Sequence, residues 1–289
     1  MSTAILSILS GIGGMFAWGI YDFLGGVFSK QIGPFKSFFW SQLAGSISVL
    51  LLAFVFTISL NVPILVIILF PIAAIVYSAG YLFYFKGLEM GNISIVSATM
   101  NLWAVFTMLF AFIFMGQRLS TIQTLGVLMI LSGVTLASLN WSDIKNQRFQ
   151  LSSGVKEAVL GAFFFGIFWN ISEIISEKVG WLLATLFVKF GIILFLLIFS
   201  FLVKREIGLT KTSTKTKYVI VLMGIIEAGA VAIVNYGLTI GHAILITPIA
   251  SALSIVTITL AIVFLKEKVT KLQGLGMTTA IVGIIVTAL

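Results

Sequence analysis

Four ionisable side chains lie inside otherwise apolar stretches of the sequence: Asp22, Glu173, Lys189 and Glu227. A charged residue at the centre of a membrane-spanning helix costs about 2.5–3.5 kcal/mol on insertion scales, so such residues mark functional positions by default. Carboxylate and ammonium groups at this depth can bind a charged solute, exchange a proton or pair with each other. The structural alternatives are an ion pair that only supports the fold, and a side chain that extends to the membrane surface.

Lys189 and Glu227 are the deepest of the four. At 1.5 Å of rise per residue, Lys189 lies roughly 21 Å and Glu227 roughly 14 Å from the polar segment that separates their helices. Two long side chains on neighbouring antiparallel helices can span that difference. An ion pair between them would let both stay charged inside the membrane. A substrate or proton that replaced one partner would then shift the balance between conformations.

Aromatic residues accompany the carboxylates at helical spacing. Trp18, Tyr21 and Asp22 share one face of the first apolar stretch, and the sixth stretch combines Trp169 with Glu173 four positions later. Aromatic rings beside carboxylates suit an organic cation or an amine. The buried lysine instead suits a carboxylate, so the full set would suit a zwitterion such as an amino acid.

A polar row in the ninth stretch, Thr247, Ser251 and Ser254, lies beside Pro248. Its hydroxyl groups either bond back to their own helix or form a polar wall next to a loosened turn. We predict no catalytic residue, no metal site and no cofactor. The predicted substrate-binding residues are Trp18, Tyr21, Asp22, Gln42, Tyr77, Tyr81, Asn101, Trp169, Asn170, Glu173, Lys189, Glu227 and Ser251.

Membrane-spanning helices must position these residues, because the composition does not suit a soluble domain. Of 289 residues, 60% are hydrophobic and 9% are charged, and the mean hydropathy is +1.19. Backbone groups in the bilayer core must be satisfied internally, and continuous apolar runs favour helices over the alternating strands of a barrel. The sequence therefore predicts an all-α membrane protein with ten transmembrane helices, near residues 4–29, 36–59, 64–86, 93–115, 119–140, 154–177, 181–203, 218–240, 243–265 and 270–288.

The net charge of +8 is assigned to short loops rather than to a nucleic-acid-binding surface. Fourteen Lys and Arg residues lie around the loops that follow odd-numbered predicted helices, against two, Arg118 and Lys178, on the other side. Positive residues concentrate in the cytoplasm, so this distribution predicts cytoplasmic odd loops and both termini outside. We expect a multi-pass integral protein of a prokaryotic cell membrane, with the lipid bilayer and a small-molecule substrate as partners and no nucleic acid.

The second half of the sequence is a diverged copy of the first. An offset of 150 aligns Gly87 with Gly237, and upstream an offset of 147 aligns Gly14 with Gly161. Because each copy has an odd number of helices, the second copy must cross the membrane in the opposite sense, as in many secondary transporters. The predicted units are a first five-helix repeat at 1–140, a connecting loop at 141–153 and a second five-helix repeat at 154–289.

The two copies differ at the charged positions. Lys189 aligns with Gln42, and Glu227 aligns with Tyr77. The second copy is therefore charged where the first is polar and neutral. A symmetric scaffold with an asymmetric site is what the recognition of an asymmetric small molecule requires.

Paired glycine motifs carry a resemblance to a known family. Gly87-Leu88-x-x-Gly91 recurs as Gly237-Leu238-x-x-Gly241, and Glu267 begins a stretch that continues into Gln273-x-x-Gly276. These motifs resemble the EamA-type members of the drug/metabolite transporter superfamily, over essentially the whole chain. The first copy departs from the family pattern, because Gln117 stands where the second copy has Glu267.

The resemblance implies ten helices in two inverted five-helix repeats. It also implies a central cavity lined mainly by the first four helices of each repeat. Members of the family are commonly described with cytoplasmic termini, which disagrees with the termini that the charge distribution places outside.

These features predict a secondary transporter of a small polar metabolite, with amino acids and amines favoured, that works by alternating access. Proton-coupled export through Glu227 or Glu173 is a further hypothesis. The alternative is a multidrug transporter of organic cations such as quaternary ammonium compounds. An intramembrane enzyme is a remote alternative, because the sequence has one His, no Cys and no HExxH motif. We expect a monomer or a homodimer.

Overall fold

Regular structure is helical throughout the part of the chain that the computed structural model describes, residues 3–28, 31–56, 61–90, 96, 99–138, 154–210, 212–266 and 270–287. The helices are α1 (Thr3–Phe28), α2 (Pro34–Val55), α3 (Ile64–Met90), α4 (Leu102–Phe114), α5 (Thr121–Ser138), α6 (Val155–Val179), α7 (Trp181–Val203), α8 (Thr214–Ile240), α9 (Ala243–Ser251), α10 (Leu253–Leu260) and α11 (Lys271–Thr287). A π-helical turn at Ala261–Leu265 follows α10.

Eight segments within these ranges are long and apolar enough to cross a membrane, with α9, α10 and the π-helical turn counted as one. The other two, α4 and α11, are shorter apolar helices of 13 and 17 residues. Large apolar side chains such as Phe54, Phe201 and Leu202 face outward with most of their surface exposed. A lipid bilayer covers a surface of this kind, whereas water would not tolerate it over so many helices.

Some predicted helix boundaries differ from the observed ones because they were placed on apolar runs. α8 begins at Thr214 rather than near 218, since the Ser213 hydroxyl accepts a hydrogen bond from the Thr216 amide at 3.2 Å and caps the helix. α3 continues to Met90, beyond the predicted end near 86. The start of the fourth predicted helix, 93–95, lies outside the described residues.

The fourth and ninth predicted helices are interrupted at nearly the same place in the two copies. Asn101 forms a turn before α4, and Ala252 forms a turn between α9 and α10. Pro248 lies inside α9, where its ring supplies no amide donor to the helix. Breaks of this kind at membrane depth are tolerated where the backbone lines a cavity or is buried in protein.

The main helix pairs that pack across the two copies have equivalent pairs in which the roles of the copies are reversed. α1 packs along α8 and α3 along α6, so the first helix of each copy lies against the third helix of the other. α4 contacts α6 in the same way that α9 and α10 contact α1, and α2 contacts α8 as α7 contacts α3. This exchange is what a two-fold relationship between the copies would produce.

The fifth helix of each copy meets its equivalent directly, since α5 packs along α11 through glycines. A Cβ atom added to Gly133 would lie 2.6 Å from the carbonyl oxygen of Gly276, and one added to Gly276 would lie 2.6 Å from that of Gly133. The equivalent contact joins Gly126 with Gly283. Glycines spaced seven residues apart on each fifth helix therefore pack the two copies against each other.

The polar motif before each fifth helix is a helix cap. Ser120 and Gln123 exchange hydrogen bonds of 3.0 and 3.2 Å at the start of α5. Thr270 and Gln273 do the same, also at 3.0 and 3.2 Å, at the start of α11. These reciprocal contacts satisfy amide groups that a helix start leaves free. Gln123 and Gln273 are therefore explained as helix-capping residues.

Candidate functional site

A cavity of about 520 Å³ lies between the two copies. It extends to Gly26, Pro34 and Gln273, which lie at helix ends next to the loops that follow odd-numbered predicted helices. We call this face of the protein the basic side, and the other face the opposite side. The cavity is lined among others by Trp18, Tyr21, Asp22, Ser37, Phe38, Tyr77, Tyr81, Tyr84, Asn101, Trp103, Ser138, Phe165, Trp169, Ser254 and Thr257.

Among the described residues that line the cavity, Asp22 is the only charged one. Its side chain is exposed, and no hydrogen bond or salt bridge joins it to any described residue. Aromatic rings line the same cavity, from Trp18 and Tyr21 on its own helix and from Tyr81 on α3. An unpaired carboxylate next to ring faces attracts a positive charge through both the ion and the ring quadrupoles.

Three tryptophans from three helices meet on one wall of the cavity. The ring centroid of Trp18 lies 5.4 Å from that of Trp169 and 6.4 Å from that of Trp103, in edge-to-face contacts. Trp103 and Trp169 are 6.1 Å apart. All three are at least nine-tenths buried, so they separate the cavity from the layer of residues beyond them.

Behind the cavity wall lies a hydrogen-bonded network of Gln42, Tyr77, Lys189 and Glu227, which we call the central network. Lys189 Nζ donates to Gln42 Oε1 at 2.8 Å and forms a short ion pair with Glu227 Oε2. The Tyr77 hydroxyl donates to Glu227 Oε1 at 2.6 Å. Lys189 and Glu227 have no exposed side-chain surface. The ion pair and its added hydrogen bonds allow two charges to remain in the interior.

The central network consists of the aligned positions at which the two copies differ in charge. Gln42 and Lys189 are 147 positions apart, and Tyr77 and Glu227 are 150 positions apart. Those are the two offsets that align the copies, so each residue contacts its own equivalent. Only Tyr77 among the four lines the cavity.

A second buried carboxylate, Glu173, lies one helical turn beyond Trp169, towards the opposite side. Its Oε1 accepts from Gln117 Nε2 at 2.6 Å and lies 2.9 Å from His242 Nδ1, and its Oε2 accepts from the Ala243 amide at 3.0 Å. The carboxylate therefore caps the start of α9, where the helix dipole favours negative charge. We call Gln117, Glu173, His242 and Ala243 the opposite-side latch.

Glu173, Glu177 and His242 place ligand atoms within 4.8 Å of one another, as a metal site would require. Both oxygens of Glu173 already have protein partners, however. Two members of this group, Glu173 and His242, therefore already form contacts at the start of α9.

The architecture and the cavity agree with one family of proteins. The sequence model of the EamA-like transporter family matches residues 5–139 and again residues 152–289. The chain belongs to that family. EamA-like proteins are membrane transporters of the drug/metabolite type, not enzymes, so the predictions of a transporter and of a multi-pass membrane protein are confirmed.

Known structures support the fold of this EamA-like protein. Twenty-nine chains of known structure are similar to it, and one of them is a crystal structure. It aligns with a TM-score of 0.81 at 17% identity and covers 98% of each chain. At this identity the likeness shows the fold alone. No curated protein matches the sequence.

The predicted site residues of the EamA-like chain fall into three places. In the cavity wall are Trp18, Tyr21, Asp22, Tyr77, Tyr81, Asn101 and Trp169. Gln42, Lys189 and Glu227 lie behind the wall, and Glu173 lies in the opposite-side latch. The sequence could not separate these places, because helical spacing gives the face of a residue but not the neighbour that covers it.

Two predicted site residues of the EamA-like chain, Asn170 and Ser251, form hydrogen bonds with backbone carbonyl groups and do not line the cavity. Asn170 Nδ2 donates to the carbonyl oxygens of Thr107 and Gly166 at 3.1 and 2.8 Å. Ser251 is fully buried, and its hydroxyl donates to the carbonyl oxygen of Pro248 at 2.7 Å. Of the two roles considered for the polar row, bonding back to the helix is therefore the one seen at Ser251.

Sequence reasoning missed Trp103, Tyr84 and Ser138 in the cavity wall, as well as Gln117 in the latch. The apolar surroundings of Trp103 gave no signal. Gln117 was noticed only as a departure from the family motif. Its role depends on Glu173, which is 56 positions away and on another helix.

Proposed function

We propose that this protein is a secondary transporter of organic amines and related organic cations. The observation that carries the proposal is Asp22, an unpaired carboxylate in a cavity whose other described lining residues are aromatic or neutral. A protonated amine placed there gains an ion pair and cation–π contacts in a partly desolvated site. The volume of about 520 Å³ falls within the range of sites for small organic molecules.

Amines are favoured over amino acids because of where Lys189 lies. The carboxylate of an amino acid needs a cation, and the only buried lysine of the described helices is held by Glu227 and Gln42 behind the wall. Breaking that ion pair would leave Glu227 buried without its partner, which is strongly destabilising. The ammonium group of a zwitterion would therefore pair with Asp22, but its carboxylate would find no cation in the described part of the site.

Transport would proceed by alternating access of two inverted five-helix repeats, at 1–140 and 154–289, with ten crossings in total. The cavity extends towards the basic side, while the three tryptophans and the opposite-side latch lie towards the other face, so we infer that this state is open to the basic side. By the positive-inside rule the basic side is cytoplasmic, so amines would enter from the cytoplasm and leave by export. Export requires the latch between α6 and α9 to open.

Proton coupling is assigned to Glu227 rather than to Glu173. Tyr77 connects Glu227 with the cavity through one hydroxyl group, whereas Glu173 lies beyond the tryptophan wall. A proton passed through this hydroxyl to Glu227 would neutralise the partner of Lys189. The cost of an unpaired buried lysine would then favour a different conformation.

The test is uptake of radiolabelled phenethylamine into proteoliposomes that contain the purified protein. Asp22→Asn removes the charge with little change in volume, and we expect it to abolish uptake, while Asp22→Glu retains part of it. Glu206→Gln is the matched control, because this acid is exposed outside the cavity and pairs only with Lys36 at 3.5 Å. Equal uptake by wild type and Asp22→Asn would contradict the proposal.

A further inference from the structure

We propose that Asn101, Ser138 and Ser254 form a second subsite of the cavity, which binds a neutral hydrogen-bonding group such as a hydroxyl or a carbonyl. This inference rests on the proposed function. It adds a second contact to the molecule whose ammonium group pairs with Asp22. The substrate class is thereby narrowed to amines that carry an uncharged polar group.

The three residues meet where the fourth helix is interrupted. Asn101 Nδ2 lies 3.2 Å from Ser138 Oγ and 3.4 Å from Ser254 Oγ, both long for hydrogen bonds of this type. Contacts this long are weak and can be exchanged for contacts with a ligand. Asn101 Oδ1 accepts no hydrogen bond from the described residues, although the amide group can accept two.

The Tyr77 hydroxyl, which also lines the cavity, has a shorter contact, because it donates to Glu227 at 2.6 Å. The Asn101 contacts of 3.2 and 3.4 Å are longer, so they are more easily exchanged for contacts with a ligand.

The second copy has no matching group at the equivalent position. Ser251 aligns with Asn101, but it is fully buried and bonded to the carbonyl oxygen of Pro248. The Asn101 amide group therefore has no equivalent amide group in the second copy. Asp22 likewise aligns with Trp169, which is uncharged. A cavity that contains one acidic group and one neutral polar group favours one orientation of an asymmetric amine.

Binding of two matched amines to the purified protein tests the subsite. Tyramine and phenethylamine share the ammonium group and the ring, and only tyramine has a hydroxyl. We expect tyramine to bind wild type about 5- to 10-fold more tightly, the range that one neutral hydrogen bond supplies. Asn101→Leu should weaken tyramine to the level of phenethylamine and leave phenethylamine unchanged.

Ser132→Ala is the matched control for Ser138→Ala. Ser132 lies on the same helix but is exposed, and its hydroxyl bonds back to Leu128. The control should keep the full preference for tyramine, and Ser138→Ala should reduce it. If Asn101→Leu fails to fold, the Ser138→Ala/Ser254→Ala double variant gives the same readout.

Equal affinities of wild type for the two amines would overturn the subsite and leave the proposed function standing. A preference that survives in Asn101→Leu would have the same consequence. If wild type binds neither amine, or if Asp22→Asn binds both as well as wild type does, the proposed function fails and the subsite fails with it.

Discussion

Tyr77 donates a 2.6 Å hydrogen bond to Glu227, the residue that stands at its own position in the other half of the chain. Gln42 and Lys189 meet in the same way, 147 positions apart. When two inverted repeats exchange their conformations, each residue takes the surroundings of its equivalent in the other repeat. A contact between two equivalent residues is then the same contact before and after the exchange. A contact between non-equivalent residues is replaced by the contact between their two equivalents. Under the proposed alternating access, the Tyr77–Glu227 and Gln42–Lys189 contacts are therefore expected to persist and to act as the pivot.

Glu227→Gln should abolish flux of an amine driven by a pH gradient in proteoliposomes. Gln still accepts a hydrogen bond from Tyr77, but it cannot bind and release a proton in the relevant range. Exchange of labelled for unlabelled amine without a gradient should continue. Gradient-driven flux at the wild-type level would show that Glu227 is not the coupling residue.

Lys189→Met should lower the free energy of unfolding by about 3–5 kcal/mol, because it leaves the Glu227 carboxylate buried without its cation. The Lys189→Met/Glu227→Met double variant should recover most of this loss, since a buried ion pair can be replaced by apolar residues of similar volume at little cost. Thermal unfolding in detergent measures both. A double variant less stable than the single one would contradict the role of the pair.

The sequence predicts part of the central network and of the cavity. The offset between Gln42 and Lys189 was visible in the sequence, so the asymmetric pair was predictable, and so was its partner Glu227. The position of this pair behind the cavity wall was not predictable, because the burial of Lys189 depends on helices from both copies. Asp22 was found from its charge and aromatic spacing alone.

The polar subsite and the opposite-side latch could not be predicted from the sequence. Asn101 meets a residue 37 positions away and another 153 positions away, so no local pattern relates them. The latch depends on a backbone amide at Ala243, which has no sequence signature. Such contacts are created by packing across the two copies, and periodicity along one helix carries no information about them.

Glu173→Gln should open the opposite side more often. The neutral amide interacts less favourably with the start of α9 and cannot accept from both Gln117 and Ala243 as the carboxylate does. Because the chain has no cysteine, a single Leu245→Cys substitution in α9 can report this opening through its rate of maleimide labelling. We expect faster labelling with Glu173→Gln than with the unchanged latch.

His242→Ala is the control for that experiment. It removes the exposed partner of Glu173 and keeps the Gln117 and Ala243 contacts, so its effect on labelling should be smaller. Unchanged labelling in Glu173→Gln would mean that the carboxylate does not hold this side closed.

Gly276→Leu should strongly destabilise the protein, whereas Gly274→Leu on the same helix should be tolerated. A Cβ atom on Gly276 would lie 2.6 Å from the Gly133 carbonyl oxygen, while one on Gly274 would have no atom within 4 Å. Thermal unfolding of the two variants makes the comparison at matched residue size. Similar stability of both would show that the α5–α11 contact is not tightly packed.

The affinity of the purified protein for an organic ammonium ion tests the central claim most directly. Calorimetric titration at pH 7 should show that wild type binds phenethylamine, and that Asp22→Asn binds it about 10- to 100-fold more weakly, since hydrogen bonds to charged groups contribute about 1.5–3 kcal/mol. Phenethyl alcohol, which lacks the charge, should bind neither protein. Equal affinity of wild type and Asp22→Asn for the amine, or tighter binding of the alcohol by wild type, would contradict the account.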